Sequence, residues 1–257
     1  MGKCEFVGIL SPSQEVQTPP VDSQATGKVE VILKGTTLIL SGCFRNLSSP
    51  YVAAHIHEGA AGVNGPVLFE LVARLKAEQL SGRFSECDNR FTLTQEQIDL
   101  LKAGELYVNI HTEQFVDGEL RSQLVRKCTK QFTAVLLGAN EVPPVETEAS
   151  GTIFATLKCR TLQLSGQFSN LSAPLFPVGG TPVHLHLGFA DTNGPVVFPL
   201  VVVADEDQLG GVLVAADNTF QLTCEQVNVL KAGGYYVNVH SENFELGEIR
   251  GNLNRLH

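Results

Sequence analysis

The sequence has no tryptophan, one methionine and four tyrosines among its 257 residues. Aromatic cages for cationic ligands combine several such rings, and thioether sites need several methionines. The composition therefore argues against both kinds of site. With 43% hydrophobic and 18% charged residues, the chain has the composition of a globular protein and not that of a disordered one.

Basic residues are also few. The 18 lysines and arginines stand against 27 aspartates and glutamates, which gives a net charge of −9 at pH 7. Nucleic-acid binding needs clustered basic side chains, so this balance argues against a nucleic-acid partner and allows attraction of cations. Long apolar runs are missing too, because Pro199 interrupts the longest one, near 196–204. The sequence therefore predicts no membrane span.

The chain contains an internal repeat. Ala-His-Ile-His at 54–57 returns as Val-His-Leu-His at 183–186, an offset of 184 − 55 = 129 residues. Three further motifs keep this offset: Asn-Gly-Pro-Val at 64 and 193, Tyr-Val-Asn-(Ile/Val)-His at 107 and 236, and Gly-Glu-(Leu/Ile)-Arg at 118 and 247. Self-similarity of this kind predicts two homologous domains, 1–127 and 128–257.

The offset is shorter upstream of the paired histidines. Leu-Ser-Gly at 40–42 and at 164–166 are only 124 residues apart, so the second copy has five extra residues, around 176–180. An insertion between repeats is tolerated best in a surface loop, where we expect this one.

Each copy has the pattern of short strands separated by turns. Residues 29–33 and 37–44 flank Lys-Gly-Thr as in a β-hairpin, and the second copy repeats the arrangement. A capping-box sequence beginning at Thr94 and closing at Gly104 predicts one helix per copy. We therefore predict a mainly β fold of two tandem antiparallel β-sandwich domains (Greek-key, of immunoglobulin or superoxide-dismutase-like type), each with one short helix.

These motifs, taken in order, resemble the CHRD domain, named for its occurrence in chordin, over nearly the whole chain. The resemblance implies a β-sandwich module of mostly exported proteins. It therefore implies a secreted protein and allows a protein partner. The first six residues contain no signal-peptide stretch, so an intracellular protein or a removed leader are both open. Chordin's antagonism of growth factors is not implied, because its cysteine-rich ligand-binding modules have no counterpart here.

Six of the seven histidines recur between the copies. They are His55, His57, His111, His184, His186 and His240; the seventh, His257, is terminal. In the segment 183–187 the histidines alternate with apolar residues, so both imidazoles share one face of a strand. In the segment 236–240, His240 alternates with two valines in the same way. If these two strands are neighbours, three imidazoles converge in each domain.

Two histidines at i and i+2 with a third from a distant strand resemble the strand ligation of copper–zinc superoxide dismutases, as an analogy of pattern only. An all-nitrogen set suits a divalent ion, Zn²⁺ or Cu²⁺, and disfavours Cu⁺. Three protein ligands leave one position open. Since a histidine ligand must be neutral, affinity should fall below about pH 6. The alternative is that the histidines hydrogen-bond across the sheet without a metal, and the sequence leaves both open.

Glu119 with Arg121, and Glu248 with Arg250, stand at i and i+2 and so share a strand face. They are candidates for a second shell that orients the histidines. The commoner meaning of such a pair is a solvated ion pair, which we expect for the arginines. The repeated Asn-Gly-Pro is expected to form a structural turn after the histidine strand.

The six cysteines do not recur. Cys43, Cys87, Cys159 and Cys224 face other residue types in the opposite copy, so a disulfide framework is not part of the repeat. A bridge between Cys4 and Cys128 would bracket the first domain but nothing supports it. We expect most of the cysteines to be free thiols.

Three functions fit these features. The first is a non-enzymatic binding module with one metal site per domain, and the second is a redox metalloenzyme acting on a small oxidant such as superoxide. The third is a metal-free interaction scaffold in which the histidines are structural. No acid–base dyad, nucleophile triad or phosphate loop recurs, so catalysis would depend on the metal itself and we favour a non-enzyme.

Overall fold

A computed structural model describes residues 4–256 of the chain. The chain folds into two compact units, with the main boundary between Thr129 and Lys130. Each unit has its own hydrophobic cluster, one built entirely from residues up to Leu124 and the other from Phe132 onward. The expected fold, mainly β with two tandem domains and one helix in each, is confirmed.

Within residues 4–129, the first unit contains eleven strands and one α-helix. In chain order these are β1 (Cys4–Leu10), β2 (Thr26–Lys34), β3 (Thr37–Arg45), β4 (Tyr51–Glu58), β5 (Val67–Glu70), β6 (Ala73–Leu75), β7 (Gly82–Phe84), β8 (Arg90–Thr92), α1 (Gln95–Ala103), β9 (Leu106–Thr112), β10 (Leu120–Gln123) and β11 (Val125–Arg126). One sheet has the order β11-β1-β2-β3-β7-β6, with β8 beside β3, and the other has the order β10-β9-β4-β5.

The second unit repeats this plan. Its elements are β12 (Lys130–Leu137), β13 (Ser150–Lys158), β14 (Thr161–Ser169), β15 (Val183–Leu187), β16 (Val196–Leu200), β17 (Val203–Ala204), β18 (Gly211–Leu213), β19 (Thr219–Gln221), α2 (Cys224–Lys231), β20 (Tyr235–Ser241), β21 (Phe244–Asn252) and β22 (Asn254–Arg255). Here the two sheets touch at one corner, where Leu137 of β12 pairs with Arg250 of β21. The corresponding contact in the first unit is the isolated bridge between Ser11 and Arg121.

The sandwich core forms because apolar side chains alternate along the strands of both sheets. In the first unit, Val29 and Leu40 from one sheet meet Ile56 and Val108 from the other in a single cluster, and all four are fully buried. Side chains at i and i+2 share a face, so the residues between these positions point away from the core. The outer face of the four-stranded sheet therefore carries the polar residues of β4 and β9.

Each helix begins as the sequence predicts. Thr94 and Thr223 cap α1 and α2, and both form the complete capping box. Gly104 ends α1 in the left-handed conformation at φ 84°. Neither helix within residues 4–256 has the length and apolar character needed to cross a membrane.

The connection between β1 and β2, residues 11–25, lies against the outer face of the four-stranded sheet. Gln17 Nε2 donates to the carbonyl of Gly118 at 2.6 Å, and Ser23 Oγ donates to Glu119 Oε1 at 2.6 Å. Glu15, within the same connection, is only 2% exposed. The connection thus covers the strand end that carries the repeated Gly-Glu motif.

Burial raises the pKa of Glu15 to about 8, and the negative charge of Asp117 adds to this effect. The positive charge of Arg121 and hydrogen bonds with Gln17 and Asn109 oppose it. Burial likewise raises the pKa of the equivalent Glu141 to about 7. A protonated Glu15 can donate a hydrogen bond, which suits a carboxyl group that is removed from water.

Separate expression of residues 1–127 and 130–257 is expected to give two folded proteins, because neither hydrophobic cluster takes residues from the other half. Circular dichroism and urea titration of each fragment should show β structure and one cooperative transition. A fragment without a cooperative transition would mean that the domains do not fold independently.

Glu15→Gln should change how stability depends on pH. The folded protein keeps the Glu15 proton up to about pH 8, whereas the unfolded chain releases it near pH 4.5. The free energy of unfolding therefore falls as pH rises through this window, by up to about 1.4 kcal/mol per pH unit. The glutamine variant has no such proton to lose, so its stability relative to wild type should rise from pH 5 to pH 8.

Urea unfolding at a series of pH values measures this difference. Glu78→Gln is the control, since Glu78 is exposed in the same domain and should give a curve parallel to that of wild type. If the Glu15 and Glu78 variants show the same pH dependence, Glu15 is ionised in the folded protein and our interpretation is wrong.

Candidate metal centres

The three histidines of the first domain lie on two neighbouring strands. β4 carries His55 and His57, β9 carries His111, and the strands pair antiparallel with Ala53 opposite His111. Ile56, between the paired histidines, points into the core and is fully buried. The alternation of the strand thus places all three imidazoles on the outer face, where one nitrogen of each ring lies within 4.8 Å of the others.

The second domain repeats this arrangement. His184 and His186 lie on β15 and His240 on β20, and these strands pair with His184 opposite Asn238. One ring nitrogen from each histidine again lies within 4.8 Å of the other two. We call the set in the first domain the first triad and the set in the second domain the second triad. His257 falls outside the residues that the structure describes.

Loop carbonyls fix the orientation of two rings in the first triad. Nδ1 of His57 donates to the Gly65 carbonyl at 3.0 Å, and Nδ1 of His111 donates to the Val116 carbonyl at 2.9 Å. A carbonyl oxygen only accepts, so each Nδ1 carries the proton and each Nε2 keeps a lone pair. Both Nε2 atoms, and Nδ1 of His55, are buried without a hydrogen-bond partner. Each ring of the first triad therefore has one buried nitrogen without a hydrogen-bond partner.

In the second triad, loop carbonyls orient two rings in the same way, but two of the histidines also hydrogen-bond to each other. Nδ1 of His186 donates to the Gly194 carbonyl and Nδ1 of His240 to the Glu245 carbonyl, each at 3.0 Å. Since Nε2 of His240 is left as an acceptor, the 3.1 Å contact from His184 Nδ1 is a hydrogen bond that His184 donates. Nε2 of His186 is buried and unpartnered. A metal here would replace the hydrogen bond between His184 and His240.

Burial lowers the pKa of the imidazoles. It is the main cause for His57 and His111 in the first triad, and for His184, His186 and His240 in the second. Burial, together with the neighbouring His184 and His186, lowers the pKa of His240 to about 4. These rings are neutral at pH 7, which is the form that binds a metal. Protons therefore compete with a metal for these nitrogens only at a lower pH than they would for free histidine.

A tyrosine and an arginine stack in turn behind the second histidine of the His-x-His pair. The Tyr107 ring stacks on His57 with centroids 4.8 Å apart, and the Arg121 guanidinium lies 3.6 Å from the Tyr107 centroid. Tyr107 sits on β9, between β4 and β10, so it lies between the other two side chains. In the second domain Tyr236 stacks on His186 at 4.8 Å, and Arg250 lies 3.5 Å from Tyr236.

The same arginine ties down the loop that orients His57. Arg121 Nη1 donates to Asn64 Oδ1 at 2.8 Å, and Nη2 donates to the Val63 carbonyl at 2.7 Å. The Gly65 amide donates to the Tyr107 hydroxyl at 3.1 Å. Residues 63–65 are therefore fixed at three points, and the Gly65 carbonyl meets His57 Nδ1 from a constrained position.

The expectation of a solvated ion pair at the repeated Glu and Arg is wrong. Arg121 and Arg250 are each 1% exposed, and Glu119 and Glu248 are fully buried. The connections over the outer face exclude water from these side chains, and the arginines bind loop carbonyls instead. Glu119 Oε1 accepts from the Ser48 amide, and Glu248 Oε1 accepts from the Ser172 amide, so the carboxylates hold other connections in place.

Residues that the sequence pattern does not assign to the site also contribute. Tyr107 belongs to a repeated motif that suggests no role for it, and the Asn-Gly-Pro motif predicts only a turn, although Gly65 binds His57 directly. A Cβ atom on Gly65 would overlap the Glu58 carbonyl, so the loop requires glycine there. The signal that could have found these residues is recurrence, because each of them returns at the offset of 129.

The structure describes all six cysteines, and each is a free thiol. Five of them are exposed, and only Cys4 is half-buried. The expectation of free thiols is confirmed and the bridge between Cys4 and Cys128 is not formed. Neither triad includes a cysteine among its grouped side chains.

Comparison with known families agrees with the geometry. The model of the CHRD domain matches residues 6–124 and again residues 132–253. No curated protein matches the chain. Both matched segments contain a complete histidine triad with its tyrosine and arginine. The two matches together cover most of the sequence, and the chain therefore belongs to the CHRD domain family, with two copies of the domain in tandem.

Proposed function

We propose that this protein is a metal-binding protein that holds one divalent transition-metal ion, Zn²⁺ or Cu²⁺, at the histidine triad of each domain. The observation that carries the proposal is the set of unpaired imidazole nitrogens in the first triad. His55 Nδ1, His57 Nε2 and His111 Nε2 are buried and lack partners, and one ring nitrogen of each histidine lies within 4.8 Å of the other two. A protein partner and an extracellular location are compatible with the proposal.

The alternative, that the histidines serve only to hydrogen-bond across the sheet, explains the first triad less well. A buried polar atom without a partner costs about 1–3 kcal/mol. Structural histidines would turn these nitrogens toward partners, whereas here the Nδ1 atoms of His57 and His111 take the available carbonyls and leave the Nε2 atoms facing inward. A bound cation gives each of these lone pairs a partner.

The donor set and its spacing suit a small, borderline-soft ion. Nitrogens about 2.0–2.1 Å from a tetrahedral zinc are about 3.3 Å apart, so the triad would contract from its present spread by about 1.5 Å at most. Small side-chain rotations supply this, because the loop carbonyls hold the rings at their far nitrogens. The neutral state of the rings avoids competition from protons at pH 7.

Calorimetric titration of the apo-protein with Zn²⁺ and with Cu²⁺ should give close to two ions per chain. His57→Ala and His186→Ala should each remove one ion, because the triads lie in separate domains. The double variant should bind none, and His257→Ala should retain both ions as the matched control. Undiminished binding by the double variant, or wild-type affinity weaker than about 10 μM, would refute the assignment.

Arg121→Lys should weaken the first centre while leaving the second unchanged. Lysine has no planar group to stack on Tyr107 and cannot bind Asn64 and Val63 together, so the Gly65 carbonyl would be less constrained. Loss of such an orienting contact costs about 10–100-fold in metal affinity. Calorimetry in a His186→Ala background isolates the first centre.

Arg126→Lys is the matched control for this test. Arg126 lies on the neighbouring β11 and is half-buried against Phe6, away from the triad. It should leave the affinity unchanged. Equal affinities for the Arg121 and Arg126 variants would show that Arg121 has a packing role only.

A further inference from the structure

The two triads differ in their access to solvent. In the second triad His184, His186 and His240 are all buried, at 2%, 8% and 4% exposure. In the first triad only His57 is buried, whereas His55 and His111 are half-exposed. The two triads lie on equivalent strands and have equivalent anchoring carbonyls, tyrosines and arginines. The difference in exposure is therefore expected to come from the connections around them.

The connection that leads into the histidine strand is five residues longer in the second copy. Pro50 and Pro174 are equivalent, since they accept from the equivalent amides of Glu113 and Glu242. His55 follows Pro50 by five residues, and His184 follows Pro174 by ten. The additional residues are 176–180, which we call the flap.

The flap is an ordered turn that lies beside the second triad. Val178 N–H donates to the Thr181 carbonyl at 3.0 Å, and Gly179 and Gly180 between them have φ 62° and 106°. Glycine accepts these positive values without strain, so a two-residue turn is stable here. At its base the Phe176 amide donates to the His240 carbonyl at 3.0 Å, and the Val178 carbonyl lies within hydrogen-bonding reach of the His184 ring.

The first domain has no insertion at this position. β4 begins at Tyr51, immediately after Pro50, and Tyr51 already pairs with Thr112 of β9. The chain therefore runs directly into the histidine strand. His55 and His111 are therefore partly exposed, although His55 Nδ1 and His111 Nε2 are themselves buried.

We propose that the first triad is the centre at which a bound metal takes a small anionic ligand from solvent, whereas the flap closes the second centre and makes it a slowly exchanging, structural site. This inference rests on the proposed function. Three histidine ligands leave one position open on a tetrahedral ion. Three neutral imidazoles leave the ion's double positive charge uncompensated, so the open position favours an anion such as azide or hydroxide.

Cobalt(II) is a suitable probe, because its visible spectrum reports a change of ligand. The full chain is loaded with Co²⁺ as His186→Ala, which keeps the first centre, and as His57→Ala, which keeps the second. Azide should shift the spectrum of the first centre in a saturable way and leave that of the second unchanged. A chelator should remove Co²⁺ from the first centre at least about tenfold faster than from the second.

Deleting residues 176–180 in the His57→Ala chain gives the second centre the shorter connection of the first. This variant should gain the azide shift and release Co²⁺ faster. A second measurement needs no variant and no metal. In the wild-type apo-protein, diethyl pyrocarbonate should modify His55 faster than its equivalent His184, as read by mass spectrometry of peptides.

The outcomes separate this inference from the proposal beneath it. If neither centre binds Co²⁺, the proposed metal binding fails and this inference fails with it. If both centres bind Co²⁺ but respond equally to azide and chelator, metal binding stands and the difference between centres is refuted. Equal modification of His55 and His184 in the apo-protein would show that the flap does not shield the second triad.

Discussion

The apolar side chains of β4 and β15 point into the sandwich cores, and this burial decides where the two paired histidines of each triad lie. Ala54 and Ile56 in one copy, and Val183 and Leu185 in the other, are almost completely buried. A slip of one residue would bring these side chains to the outer face and the histidines into the core, at a cost of several kcal/mol. The register that the core enforces is therefore also the register that assembles the centres.

The outer face of the four-stranded sheet is polar but largely shielded from water, whereas the outer face of an antiparallel sheet is commonly solvated. Residues 11–25 and the loop that ends at Gly65 cover it, and Arg121 lies beneath them with 1% exposure. A buried guanidinium is costly unless its protons find acceptors. Loop carbonyls and the Tyr107 ring supply this compensation, so the arginine organises the loop rather than pairing with a surface carboxylate.

Much of this fold follows from the sequence because its signals are local and appear twice. The hairpin of β2 and β3, both capping boxes and the shared face of His184 and His186 all depend on residues a few positions apart. The burial of Arg121 does not follow in this way. A Glu and an Arg at i and i+2 have the same local pattern in water as under a loop, and only the tertiary structure decides which connection covers them. Glu15 lies in a connection without periodicity, and the sequence locates the insertion at 176–180 without showing that it lies over His184.

Arg121 also belongs to both sheets of its sandwich, since its backbone exchanges hydrogen bonds with Ser11, just after β1, while its side chain holds the loop behind His57. A ligand bound at the triad would consequently be coupled to both sheets and not to one flexible segment. Linkage then applies to the whole domain: a ligand present at a thousand times its dissociation constant adds about 4 kcal/mol to the free energy of unfolding. The resistance of each domain to heat and proteolysis would then depend on whether its triad holds a ligand. The lifetime of the chain would depend on the concentration of that ligand.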